Sequence, residues 1–225
     1  MSYASELLET QGLIPLQEYW EKLEKGVGRT ATCINFDKNV IEAKALTKKL
    51  LDKGINHPKM EKLIEIVKKE FERDKNTKIM IFANYRTTVE EIVKVLSKIK
   101  NVKPVKLVGQ REGMTQKEQI ERLRDFANGK YNILVGTCII EEGLDVTSAK
   151  VAIFFDIVPS EIRKIQRIGR VGRTQSGKII FLMTKNSRDQ AYYWSAKRKE
   201  KLMRSVLKKM GKEREARKLN LLDFF

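Results

Sequence analysis

The chain has 225 residues, with 46 Lys and Arg against 29 Asp and Glu, and a formal net charge of +17. Its 41% of hydrophobic and 33% of charged residues exclude a collagen, a fully disordered chain and a mucin-like stalk, and its length suits one large domain or a domain with an appended subdomain. The basic excess points to a polyanionic partner, nucleic acid first, or to the Lys-rich surface of a heat-adapted protein.

The first 70 or so residues read as helices. Leu7, Leu8, Leu13 and Ile14, then Leu16, Tyr19, Trp20 and Leu23, recur at helical spacing, and a loop interrupts them near Gly26 to Arg29. A second run carries Val40, Ile41, Ala45, Leu46, Leu50 and Leu51 and ends at Gly54. Pro58 suits the first turn of a helix whose apolar face is Met60, Leu63, Ile64 and Val67, with His57 as a local cap or a surface residue. From Lys78 the pattern changes. Apolar runs at 79–83, 104–108, 132–136, 151–155 and 178–183 alternate with amphipathic stretches at 87–99, 115–128 and 159–170. That alternation predicts an α/β fold with a parallel sheet covered on both faces, and it puts chemistry at the carboxyl ends of the strands. A long helix follows from about 188 to 209, and residues 196–218 hold eleven Lys or Arg against three acids. The chain closes on KLNLLDFF.

Two cysteines and one histidine argue against a disulfide framework and a zinc cluster, so Cys33 and Cys138 are expected as small buried hydrophobes in a reducing compartment. The stretch MSYASELLET lacks a signal-peptide pattern, and no apolar run reaches the roughly 20 residues of a membrane span. A soluble, cytoplasmic protein is expected, with no membrane contact.

The strongest motif is Gln166-Arg167-Ile168-Gly169-Arg170-Val171-Gly172-Arg173. Three arginines at three-residue spacing put planar, permanently charged guanidinium groups on one helical face and the turn beyond it. Such groups stabilise charge on a transferring phosphoryl. Two decoys fail. Gly172 to Ile179 (GRTQSGKI) nearly matches a phosphate-cradling loop, but Ile179 replaces the magnesium-binding hydroxyl and the segment runs from loop into strand. VAIFFD mimics a Walker B strand ending in Asp156, yet no Glu follows, and the chain has no Asp-Glu dipeptide.

QRIGRVGR is similar to motif VI of superfamily 2 helicases; IFANYRTT at 81–88 resembles motif IV, and VGTCIIEEGLDV at 135–146 resembles motif V. Their order is that of a second RecA-like motor domain. LLETQGL, HPKM, LVGQ, QKEQ, EEGLDV and RDQAYYWSAKRKEK further resemble the archaeal Hef and FANCM branch, over roughly residues 3–205.

The resemblance implies a RecA-like parallel sheet with helices on both faces, preceded by a helical segment and followed by a long basic helix. It implies four parts: residues 1–55, the C-terminal part of a thumb-like insertion; 56–187, the motor domain; 188–217, the basic helix; and 218–225, the tail. Arg170 and Arg173 would be arginine fingers reaching ATP, Gln166 would meet the γ-phosphate or the facing domain, and Arg167 would pack on the sheet. Gly143 and Asp145 would approach the nucleotide. Thr137, Gly109, Gln110 and Arg86 would hold the DNA backbone, which positions DNA without reading its sequence.

ATP and Mg²⁺ would be shared with a first RecA-like motor domain, because this sequence has no Walker A or B motif, and the chain alone is expected to be inactive. The downstream ERKxxxD nuclease signature is absent, so no nuclease activity is expected. The tail resembles the sliding-clamp (PCNA) box QxxLxxFF, with Leu221, Phe224 and Phe225 as the plug and Lys218 in place of Gln; the alternative is a tail folded back on the domain. The function implied is the C-terminal half of an ATP-dependent helicase or translocase on forked or branched DNA, nucleoid-associated in the cytoplasm. Alternatives are a double-stranded RNA translocase of RIG-I or Dicer type, and a non-catalytic DNA-binding, clamp-tethering module. Tyr192, Tyr193 and Trp194 either stack bases or anchor the long helix to the sheet.

Overall fold

The structure, a computed structural model, describes residues 2–26, 29–110, 113–137, 149–157, 177–199 and 201. Five helices come first: α1 (Ser2–Thr10), α2 (Leu13–Glu24), α3 (Arg29–Asn35), α4 (Lys38–Asp52) and α5 (Pro58–Arg73). Then come β1 (Ile79–Phe82), α6 (Arg86–Leu96), β2 (Pro104–Leu107), α7 (Gln116–Ala127), β3 (Ile133–Gly136), β4 (Val151–Phe154) and β5 (Lys178–Phe181). A last helix, α8, occupies 188–199. All five strands fall within the apolar runs expected for them. The amphipathic stretch at 159–170 lies outside the described residues.

Local chemistry sets the helix ends. Asp37 caps α4 by accepting from the amides of Asn39 and Val40. Pro58 opens α5, and the ring of His57 accepts from the Lys59 amide, so the histidine is a cap. Thr115 and Glu118 close a reciprocal capping box on α7. Between α1 and α2 the chain turns at Gly12, whose φ of 97° is open to glycine and strained for other residues. A Cβ there would meet Cβ of His57 at 2.8 Å. Helical spacing runs unbroken across this turn, so the break between α1 and α2 was not expected.

The sheet order is β2-β3-β1-β4-β5, and every pair is parallel. Every residue of β1, β3 and β4 is buried. Successive side chains point to opposite faces, so burial of all four in each strand means that both faces are covered. β2 and β5, at the edges, are only partly buried. The register aligns Phe82, Phe154 and Phe181 in the last row of the sheet. Their rings stack at 4.9 and 4.8 Å, and Tyr193 of α8 meets Phe181 edge-on at 5.9 Å. Tyr193 thus anchors α8 to the sheet, while Trp194 stays half exposed against it. Lys178 pairs with Glu70 of α5 and is the first residue of β5, so the Gly177-Lys178 stretch, which reads as a turn in the sequence, already enters the strand.

The helical segment has a small core of its own: Ala4, Leu7, Leu16, Trp20 and Val40, with Tyr19, Leu23, Ile34, Ala43 and Tyr85 packed on it. Trp20 Nε1 donates to Thr47 Oγ1 at 3.3 Å. Two expectations are corrected. Cys33 is exposed, because α3 lies at the outside of this small cluster; Cys138 lies outside the described residues. Ile41 and Leu46 are also exposed, since α4 turns Val40 and Thr47 inward instead.

Candidate nucleic-acid interface

Because all strands are parallel, their carboxyl ends share one edge. The ladder continues one residue past several strands: Ala83 donates to Gly136 O, Thr137 to Leu107 O, Phe155 to Phe82 O and Leu182 to Phe154 O, at 2.9–3.2 Å. The loops that follow start from a rigid base.

Three neighbouring strands, β2, β3 and β1, bring four of the expected residues to this edge. Arg86 is the first residue of α6, exposed, with Nε donating to Glu90 Oε1 at 3.1 Å. The same carboxylate oxygen accepts from Lys106 Nζ of β2 at 2.9 Å. The bond from Lys106, then that from Arg86, holds the Glu90 carboxyl below the usual range, against a partial desolvation that opposes it. Gly109 and Gln110 follow β2, the first buried and the second exposed. Their turn is closed by bonds from Gly113 to Gln110 O and from Met114 to Gly109 O, at 3.1 and 3.3 Å. It passes beside Arg86, since a Cβ on Gly113 would sit 4.0 Å from Arg86 Nη1. From α7, Gln119 Nε2 pins the tip of β2 by donating to Val108 O at 2.9 Å. Thr137 follows β3 and is buried. Arg86, Lys106 and Gln110 thus make a basic, polar rim on a fixed base, suited to a phosphodiester backbone.

Gly143, Asp145, Gln166, Arg167, Arg170, Arg173, Leu221, Phe224 and Phe225 lie outside the described residues. Among the described residues no cluster of His, Cys, Asp and Glu could hold a metal ion, and no helix is long and apolar enough to cross a membrane.

Sequence reasoning missed a buried polar hub beside this rim. Asp156, just past β4, is 1% exposed. Its Oδ1 accepts from Gln11 Nε2 at 2.6 Å, and its Oδ2 from the Asn84 amide at 2.5 Å. Burial pushes its carboxyl above the usual range, although Lys59 and these two donors pull the other way. Gln11 Oε1 accepts from Thr88 Oγ1 at 3.2 Å. Next to it, Lys59 forms a buried ion pair with Asp189 and donates to Thr10 O and Phe155 O, each at 3.0 Å. All three ammonium protons are therefore used. On the surface side Arg188 pairs with Glu6 at 2.7 Å, and Tyr192 donates to Glu6 at 2.9 Å. The hub binds α1, α5, β4 and α8 together. No local pattern marks it, because Gln11 and Asp156 are 145 residues apart and Lys59 and Phe155 are 96 apart. The one available hint was Asp156, an acid set among apolar neighbours in VAIFFDIV.

A five-stranded parallel sheet with helices on both faces and a polar rim at its strand ends is an architecture that RecA-like domains share with other α/β folds. Residues 58–175 match the helicase conserved C-terminal domain. A putative ATP-dependent RNA helicase of Methanocaldococcus jannaschii is 41% identical over 214 residues, 93% of this chain and 27% of that protein. The Fanconi anemia group M protein of Gallus gallus is 34% identical over 67% of this chain and 8% of its own length. The Pyrococcus furiosus Hef helicase domain superposes with a TM-score of 0.67 at 44% identity, covering 86% of this chain and 40% of that one. The chain therefore spans only a fraction of the relatives it matches. It belongs to the helicase C-terminal domain family of superfamily 2, in the Hef and FANCM branch.

Proposed function

We propose that the chain is the C-terminal motor half of an ATP-dependent helicase or translocase that acts on forked or branched DNA. The observation that carries this reading is the convergence of Arg86, Gly109, Gln110 and Thr137 on one edge of three adjacent parallel strands. It is supported by relatives named as ATP-dependent DNA helicases in Neurospora crassa and Schizosaccharomyces pombe. In this reading ATP is the substrate, bound between this domain and a first motor domain. Arg170 and Arg173 donate guanidinium groups to the phosphates, Gln166 meets the γ-phosphate or the facing domain, and Gly143 and Asp145 approach the nucleotide. The magnesium ion falls to the first domain, since this sequence has no Walker motif. Opening and closing of the cleft shifts the grip of Thr137 and its neighbours along one strand. Residues 1–55 serve as part of a thumb-like insertion, 56–187 as the motor domain, 188–217 as a basic helix, and 218–225 as a tail whose Leu221, Phe224 and Phe225 fit a PCNA-type clamp.

The test is DNA-stimulated ATP hydrolysis with and without an added first motor domain. The chain alone should be inactive, the pair active, and Arg170→Ala in the pair slower by roughly 10³-fold. Full activity of the Arg170→Ala pair would overturn the assignment. Titration of clamp into peptide 214–225 checks the tail, and no binding at high micromolar concentration rejects it. A second reading, an RNA translocase, draws on the name of the Methanocaldococcus relative. Binding that depends on the ribose 2′-hydroxyl would favour it.

A further inference from the structure

The junction between β1 and α6, where Arg86 sits, is held from three sides by groups outside the strand that precedes it. The Asn84 amide donates to Asp156 Oδ2 at 2.5 Å. The Tyr85 ring packs into the small core of the helical segment, and its hydroxyl lies 3.3 Å from that of Tyr3 on α1. Thr88, in the first turn of α6, donates to Gln11 Oε1 at 3.2 Å. Gln11 also donates to Asp156 Oδ1, so one amide ties the two ends of this junction together. The backbone of Gln11 is itself fixed, because its amide and that of Gly12 both donate to Leu7 O, at 2.8 and 2.9 Å. Arg86 is the exposed residue at the centre of this frame.

We infer that Gln11 and Asp156 are positioning residues: they brace the Asn84–Thr88 junction between β1 and α6 and so set where the Arg86 guanidinium meets a nucleic-acid phosphate, which makes the α1–α2 segment part of the grip. The bracing stands on the hydrogen bonds alone; the phosphate at its end rests on the function proposed above. The consequence is directional. Any shift of α1 relative to β4 moves Gln11 against Asp156 and is transmitted to the Asn84 amide and to the first turn of α6. A displacement of about 1 Å is enough to break bonds of this length. The helical segment can therefore tune the rim without touching the ligand.

Asp156→Ala would strand two buried donors and endanger the fold, so the test uses Gln11→Met, which keeps the volume and removes both bonds, and Thr88→Val, which removes one. Two readouts are taken on the full chain: amide hydrogen exchange at Asn84, and affinity for a fluorescein-labelled forked DNA oligonucleotide in a double-mutant cycle with Arg86→Ala. Arg86→Ala alone should weaken binding roughly fivefold and lower the slope of log affinity against log salt by about 0.7. Gln11→Met should speed Asn84 exchange at least tenfold. It should also weaken binding roughly threefold in the native background and not at all beside Arg86→Ala, because its effect runs through that side chain. Additive losses, or unchanged exchange at Asn84, overturn the inference. If exchange quickens but Arg86→Ala changes neither affinity nor slope, the phosphate role of Arg86 is overturned, and the fault lies in the functional reading and not in the brace.

Discussion

At the scale of single residues, His57 has two partners that only one tautomer satisfies. Nδ1 accepts from the Lys59 amide at 3.2 Å, and Nε2 lies 3.0 Å from Glu9 O, so the hydrogen sits on Nε2 and the ring is neutral. Burial lowers its pKa, and the Lys59 charge adds to this, against the pull of the Glu9 carbonyl. The unfolded chain therefore takes up a proton first. Stability contributed by the neutral ring is complete above about pH 6.5 and falls as pH drops from there through the folded value. His57 is the single histidine of the chain, so the comparison with His57→Asn, which keeps an N-cap acceptor, is clean. Urea midpoints at pH 7.5 and 5.5 should separate for the native chain more than for the variant; equal separations would reject the assignment.

Glu90 makes a second prediction at the same scale. Its carboxylate occupies both Lys106 and Arg86 on the exposed rim. Exposed pairs of this kind add little to stability, but here they compete with phosphate for the two cations. Glu90→Gln should leave the thermal midpoint nearly unchanged and tighten DNA binding roughly threefold, with a steeper salt dependence. Weaker binding would show instead that the carboxylate holds the cations in place.

At the scale of elements, the strands were the most legible part. Short runs such as IMIF and ILVG are apolar at every position because both faces are covered, and a run of that kind shows itself without any knowledge of the partners. The caps at Asp37 and Thr115 were equally local. The α1–α2 turn was not, because helical apolar spacing, from Leu7 to Ile14, carries through it; the turn answers to the close approach of His57, a residue distant in the chain. The demand at this turn can be measured. Gly12 and Gly129 both have positive φ, 97° and 82°, but Gly12 also has ψ of −160°, a region closed to other residues, and a Cβ there would meet His57 Cβ at 2.8 Å, whereas one at Gly129 meets nothing within 4 Å. Gly129→Ala should lose about 1 kcal/mol through backbone strain, and Gly12→Ala should lose at least about 2 kcal/mol more through its harsher strain and the clash together. Equal denaturant midpoints for the two variants would remove this special demand at Gly12 from the account of the turn.

At the scale of the whole molecule, the order of the motifs made the candidate site partly legible, since Arg86, Gly109, Gln110 and Thr137 each follow a recognisable strand and a parallel sheet puts such positions on one edge. The hub that braces them was illegible for the opposite reason: Gln11, Lys59 and Asp189 look like ordinary surface residues, and Asp156 like the polar end of an apolar strand, until distant parts of the chain are brought together. Net charge was legible as a number and ambiguous as a cause. A charge of +17 serves either a polyanion or a hydrated surface, and salt separates the two. If the rim and its neighbours neutralise about four phosphates of a single strand, log affinity should fall with log salt at a slope near 2.8, so raising salt from about 50 to about 300 mM should weaken binding roughly 150-fold. A merely hydrated surface releases no condensed counterions and gives a flat profile. Fluorescence anisotropy of a labelled oligonucleotide across that range measures the slope. Repeating it with Arg86→Ala shows whether the rim carries part of the slope, because a loss of about 0.7 assigns one phosphate to that side chain, and an unchanged slope places the counterion release elsewhere on the molecule.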